Sequence, residues 1–178
     1  VSWRLNASSK FSVNSLYRAL ARGTHQQVAS GLWKARLPLK IKVFFWQLCR
    51  DKLPTSVNIA KRNGPSNGSC AVCGAPETGN HVFFQCHLAR FVWSAIREAA
   101  GRDWDPRTCS ELCVILSSVS GSARRVLWCC VGALLWALWR IRNKLTIEGV
   151  FPSHPADVIL KCAIFLQQWA SLGRQQDS

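Results

Sequence analysis

The sequence predicts a mostly α protein: a small helical module that opens with a short N-terminal extended arm or hairpin, followed by a C-terminal helical layer. Three observations lead there. Apolar residues recur at three- and four-residue spacing along most of the 178 positions, whereas alternation of the kind strands need occurs only near the start. Clusters of Gly, Pro, Asn and Ser break the pattern at intervals that suit short helices. The composition, 48% hydrophobic with nine tryptophans, provides enough apolar surface for a packed core and excludes disorder throughout.

Each element has its own local cause. Residues 1–11 alternate loosely, with "SWRL" and "KFSV" around the polar "NASS", the pattern of the arm or hairpin. Ser12 can cap a helix through Leu20 that places Val13, Leu16, Tyr17 and Leu20 on one face. A polar loop covers residues 23–30. Pro38 suits the entrance of a helix starting near Leu39, whose stripe is Ile41, Phe44, Phe45 and Leu48, and Pro54 ends it. Thr55 or Ser56 can cap a short helix through Arg62, and the turn-rich "NGPSNGS" follows. Leu88, Phe91, Val92, Ala95 and Ile96 then keep a helical period up to Gly101. The loop "RDWDPRT" marks a candidate boundary, dividing the chain into a module at 1–101 and a helical segment at 102–178. That segment reads as three helices near residues 110–119, 122–145 and 155–172, with a tail that should fray.

Chemistry concentrates in "CAVCGAPETGNHVFFQC", residues 70–86, where three cysteines and a histidine follow the pattern C-x2-C, seven residues, H-x4-C. A C-x2-C turn brings two thiolates to one ion, and a second pair completes a tetrahedral site of the structural zinc type. Gly74 stands where a turn around a metal favours a residue without a side chain. The expected ligands of one structural zinc ion are Cys70, Cys73, His81 and Cys86, with His87 on the exposed side of the next helix. Four protein ligands leave no open position, so the expected role of the ion is structural and not catalytic. The other six of the nine cysteines lack ligand spacing; Cys109, Cys113, Cys129 and Cys130 are expected to be small core residues on helices. An odd count and uneven spacing argue against a disulfide framework.

The formal charge of +14 and a pI near 10.0 point to a polyanionic partner, because Lys and Arg gain free energy by displacing counterions from phosphates. Between positions 34 and 62, Lys34, Arg36, Lys40, Lys42, Arg50, Lys52, Lys61 and Arg62 face Asp51 alone. The candidate nucleic-acid contacts are Lys34, Arg36, Lys40, Lys42, Lys61 and Arg62, extended along the next helix by Arg90 and Arg97. Trp33 and Trp46 lie among them; Trp46, on the apolar helix, is expected in the core. The run "VLWCCVGALLWALW" has fourteen residues between Arg125 and Arg140, too few for a membrane span of about twenty, and reads as a buried helix. Without a secretory pattern at the start, the expected setting is intracellular and reducing. The chain starts at Val1 and has no Met, as expected of a piece of a longer polypeptide.

The succession "FSVNSLYRAL", "LWKARLPLKIKVFFWQLCRDKLPTSVNIAKR" and "CAVCGAPETGNHVFFQCHLARFVW", in that order, resembles the zinc-binding domain that follows the reverse transcriptase in plant non-LTR retrotransposon polyproteins. The resemblance covers roughly residues 1–93. It implies zinc on Cys70, Cys73, His81 and Cys86, and RNA or an RNA/DNA hybrid as the nucleic acid. The downstream "ALLWALWRIRNKLTIEG" looks like the helical segment that often separates this domain from a C-terminal ribonuclease H. Neither enzyme of such a polyprotein is expected here. A polymerase palm needs paired aspartates beside a tyrosine, but Tyr17 is the single tyrosine and no two aspartates are adjacent. Ribonuclease H chemistry needs clustered carboxylates around metal ions, and the nine acidic residues are scattered. The expected function is thus a non-catalytic zinc module that binds RNA or single-stranded nucleic acid through its basic face. The alternative is a structural or interaction module that packs on the polymerase or ribonuclease H domains, or a degenerate copy without activity.

Overall fold

The computed structural model describes residues 31–33, 35 and 37–174, with side chains through Trp169. The chain divides into two compact units, Val1–Lys34 and Ala35–Ser178. A helical turn at residues 31–33 belongs to the first, and the second holds every other described element. The arm at 1–11, the helix at 12–20, Lys34 and Arg36 lie outside the described residues.

The second unit is helical, as the periodicity predicts. Helix α1 (Leu39–Cys49) is followed by α2 (Ser56–Ala60), a single π turn (His81–Gln85), α3 (His87–Ala100), α4 (Cys109–Ser118), α5 (Gly121–Glu148) and α6 (Asp157–Arg174). Among the described residues the extended pairing is one isolated antiparallel bridge between Ser69 and Pro76. Helix ends fall where the sequence chemistry puts them. Pro38 enters α1 in an extended conformation, and the Thr55 hydroxyl accepts the Asn58 N–H at 3.4 Å to start α2. At the start of α4, the Thr108 hydroxyl accepts the Glu111 N–H while the Glu111 carboxylate accepts from the Thr108 hydroxyl and the Arg107 N–H. Gly101 and Gly149 close α3 and α5 in the left-handed conformation, φ 57° and 69°, that a Cβ disfavours.

Two differences from expectation stand out. Helix α2 stops at Ala60 rather than Arg62, because Asn63 turns left-handed and the Gly64 N–H bonds back to the Ile59 carbonyl. Residues 81–85, which continue no 3.6-residue pattern, form the π turn, closed by the Cys86 N–H on the His81 carbonyl at 2.8 Å.

Helix α5 is the spine. Its buried face includes Trp128, Val131, Leu134, Leu135, Leu138 and Ile141. Phe44 of α1 packs edge-on against Trp136 of α5 and Phe83 of the π turn, with centroids 5.2 and 5.7 Å apart, and Phe83 also meets Trp139 at 6.0 Å. Phe45 meets Trp128 at 5.2 Å. Gly132 lets α5 come close: a Cβ there would stand 3.2 Å from Leu37 and 3.5 Å from Ile41. At 28 residues, α5 is long and apolar enough to cross a membrane on length and composition alone; half of its most apolar stretch is buried inside this fold. The helical continuation on both sides of the fourteen-residue apolar run explains the extra length.

Candidate metal centre

The segment after α2 is built to turn. Cys70 pairs through its N–H with the Ala75 carbonyl, and the Gly74 N–H returns to the Cys70 carbonyl, both at 2.8 Å. This tight loop requires Gly74 at φ 75°. It aims Cys70 and Cys73 toward the π turn, where His81 begins the segment and Cys86 ends it. An ordinary helical turn closes i to i+4; the i+5 closure here holds His81 and Cys86 on the metal side while Val82, Phe83 and Phe84 point into the core, all buried.

The four predicted side chains do converge. One ligand atom each from Cys70, Cys73, His81 and Cys86 lies within 4.8 Å of all the others, with Cys70 and Cys86 Sγ atoms 3.9 Å apart and Cys73 Sγ 3.2 Å from His81 Nε2. Thiolates on one tetrahedral zinc, with Zn–S bonds of about 2.3 Å, stand about 3.8 Å apart. The donor set therefore fits zinc in spacing and chemistry. The site can hold one metal ion on three sulfurs and an imidazole.

Electrostatics agree with a ligand role. Burial holds His81 below the usual histidine range despite the opposing charge of Glu77, with the nearby His87 lowering it further, so the imidazole is neutral and able to donate a lone pair. Burial raises the Cys70 and Cys86 thiols, Cys86 to about 12, so an ion must displace their protons. The Val72 N–H points at Cys70 Sγ at 3.4 Å, and the His81 N–H donates to Thr78 Oγ1 at 3.1 Å, orienting both ligands. His87 is exposed, as expected.

One supporting residue was not foreseen. Glu77, 1% exposed, accepts from both the N–H and the hydroxyl of Ser56 at 2.7 Å, and its carboxylate is gripped by the Arg142 guanidinium of α5. Arg142 lies in turn over the Trp139 ring, 5.1 Å from its centroid. The ion pair ties the metal loop to α2 on one side and α5 on the other. Cys70, Cys86, Glu77, Leu138, Ile141 and Arg142 line one small cavity, so α5 walls the inner side of the metal loop.

The basic residues are dispersed over several elements. Lys61 and Arg62 are exposed at the end of α2, just before the turn that leads to Cys70. Lys40 is exposed with its ammonium 5.9 Å from the Trp136 ring, and Lys42 is half-buried. Arg97 is exposed on α3, whereas Arg90, two turns earlier, is committed to an ion pair with Asp105. Trp46 is half-buried under Arg50, 5.6 Å from its ring, rather than enclosed in the core. The cysteines expected to be core residues also differ: Cys113 is buried, but Cys109, Cys129 and Cys130 are half-buried. Cys109 and Cys113 join Cys49 in a second sulfur cluster. Cys49 is sixty residues away in sequence, beyond the reach of any spacing rule.

Comparison with known proteins bears on the same segment. Residues 11–93 match a family described as zinc-binding in reverse transcriptase. A protein of Arabidopsis thaliana named "Putative ribonuclease H protein" is 28% identical over 99 residues, which cover 52% of this chain but only 16% of that relative. No solved structure matches. The matched range contains the four converging ligands, the two helices before them and the first half of α3; α5, which walls the site, lies outside it. Over residues 11–93, just under half of its length, the chain is thus similar to a family that binds zinc in reverse transcriptase.

Proposed function

We propose that this chain is a non-catalytic zinc module of a retrotransposon-derived polyprotein, working in an intracellular, reducing setting, and that it binds RNA or another single-stranded nucleic acid through its basic surface. Zinc on Cys70, Cys73, His81 and Cys86 acts as a clamp: it supplies folding free energy where a polar loop has no core of its own. The observation that carries the reading is that Lys61 and Arg62, both exposed, stand directly before this clamped loop in a chain of net charge +14. Lys40, Lys42 and Arg97 add charge from α1 and α3, with Lys34 and Arg36 preceding them in sequence; Arg90 contributes less, since Asp105 neutralises it. Roles divide near residue 101, with the metal loop and basic residues before it and a packing layer after it. A membrane is not part of this function, because the apolar face of α5 is spent on the core.

The test is a set of binding isotherms on labelled single-stranded RNA at several salt concentrations. Replacing Lys40, Lys42, Lys61 and Arg62 with Gln should weaken binding equally across sequences and lower the salt slope by up to about four phosphate contacts. Unchanged binding removes these residues from the interface. A second reading, an interaction module docking on neighbouring polyprotein domains, draws on the exposed apolar residues Ile159, Leu160 and Ile164 of α6. It predicts binding that salt barely affects, and wild-type protein that ignores nucleic acid at low salt would favour it.

A further inference from the structure

We propose that Cys49, Cys109 and Cys113 form a second metal site, a three-sulfur pocket for a thiophilic d10 cation, separate from the Cys3His centre.

The three Sγ atoms lie within 4.8 Å of one another, and those of Cys49 and Cys109 are 3.3 Å apart. Thiolates sharing one ion stand about 3.8 to 4.0 Å apart, so closure requires shifts of only tenths of an ångström. Two helices supply the donors. Cys49 is the last residue of α1; Cys109 is the first of α4, and Cys113 sits one turn later on the same face. Each sulfur is also hydrogen-bonded within the group, Cys113 to both of the others. Core packing alone calls for no such convergence of three thiols on one point, and a Cys49–Cys109 disulfide would leave the third without a role.

Two features of the surroundings partly offset the cost of burying thiolates at this place. Cys109 occupies the first turn of α4, at the positive end of the helix dipole, and the Arg50 charge acts on Cys49. Cys49 and Cys109 are half-buried and Cys113 is buried, so an ion can enter from one side and is shielded on the other. Without an ion the thiols hold their protons: hydrogen bonding to Cys109 lowers Cys49, but hydrogen bonding to Cys113 and burial outweigh it and push Cys49 up to about 12. The group contains three sulfurs and neither imidazole nor carboxylate, a donor set that selects soft ions of low coordination number over hard ones. The site is also coupled to the first. The Cys109 N–H donates to Asn80 Oδ1 at 3.0 Å, and Asn80 immediately precedes the ligand His81.

The experiment is a Cd(II) titration of the full, metal-free, reduced chain, followed by thiolate-to-metal charge-transfer absorption and by direct metal analysis after desalting. The wild-type chain should take up two equivalents. Cys49→Ala with Cys113→Ala should take up one and keep its helix content, and Cys73→Ala should lose the other equivalent instead. Uptake of a single equivalent by the fully reduced wild-type chain overturns the proposal, as does retention of two by the double variant. Uptake of one equivalent by the wild-type chain overturns the proposal even if the double variant does not fold.

Discussion

Glu77 is the residue on which the metal loop's attachment turns. Its carboxylate is buried, and burial alone would raise its pKa, but the Arg142 guanidinium and the Ser56 N–H and hydroxyl outweigh that and hold it below the ordinary value of 4.5. A carboxylate depressed in the folded state contributes stability that is complete above its unfolded value and is lost as the pH falls through its folded one. Glu77→Gln leaves Arg142 with an unpaired buried charge, which should cost about 3 kcal/mol in denaturant unfolding at neutral pH. The gap between wild type and variant should close as the pH is lowered through and below 4.5. A gap that is independent of pH would remove the ion pair from the explanation. Individual residues were legible in the sequence when their partners were near: the four candidate ligands fall within seventeen positions and converge as their spacing implied. Glu77 lies in the same stretch, yet its partner is sixty-five residues away. Nothing in "APETG" distinguishes a clamp from a solvated glutamate.

At the scale of elements, helices were readable from their punctuation. Pro38, Thr55 and Gly101 stop or start the backbone for local reasons, so observed ends agree with the pattern to within a few residues. The π turn was not readable, because five residues are too few to show a period and its geometry is set from outside, by ligands on one side and aromatic packing on the other. Phe83 is the pivot: fully buried, it touches Phe44, Phe84 and Trp139, and its carbonyl accepts the Trp93 indole N–H at 2.8 Å. Phe83→Ala should cost about 4 kcal/mol in urea unfolding. It should also speed zinc transfer to a chelator, since the turn carrying His81 and Cys86 would lose its anchor. Loss of stability with unchanged zinc release would show that the ligands hold the turn without the core.

At the scale of the whole molecule, the metal loop and the C-terminal layer share one core. Arg142, Leu138 and Ile141 of α5 meet the loop that carries Cys70 and Cys86, and Trp136 and Trp139 enclose the aromatic cluster of α1 and the π turn. The sequence showed that a tryptophan-rich helix needed cover, and the fold shows that the zinc module is part of that cover. Sequence periodicity gives the face of a helix but not its neighbour, and so could not reveal the association. Everything in this arrangement depends on a loop that has ligands where a core would otherwise be. The most direct test is zinc per chain, measured by elemental analysis after exhaustive desalting, in wild type and in Cys73→Ala with helix content checked alongside. The ligand set predicts a loss of one zinc per chain in the variant. Equal zinc in the two proteins would contradict the Cys70, Cys73, His81 and Cys86 centre.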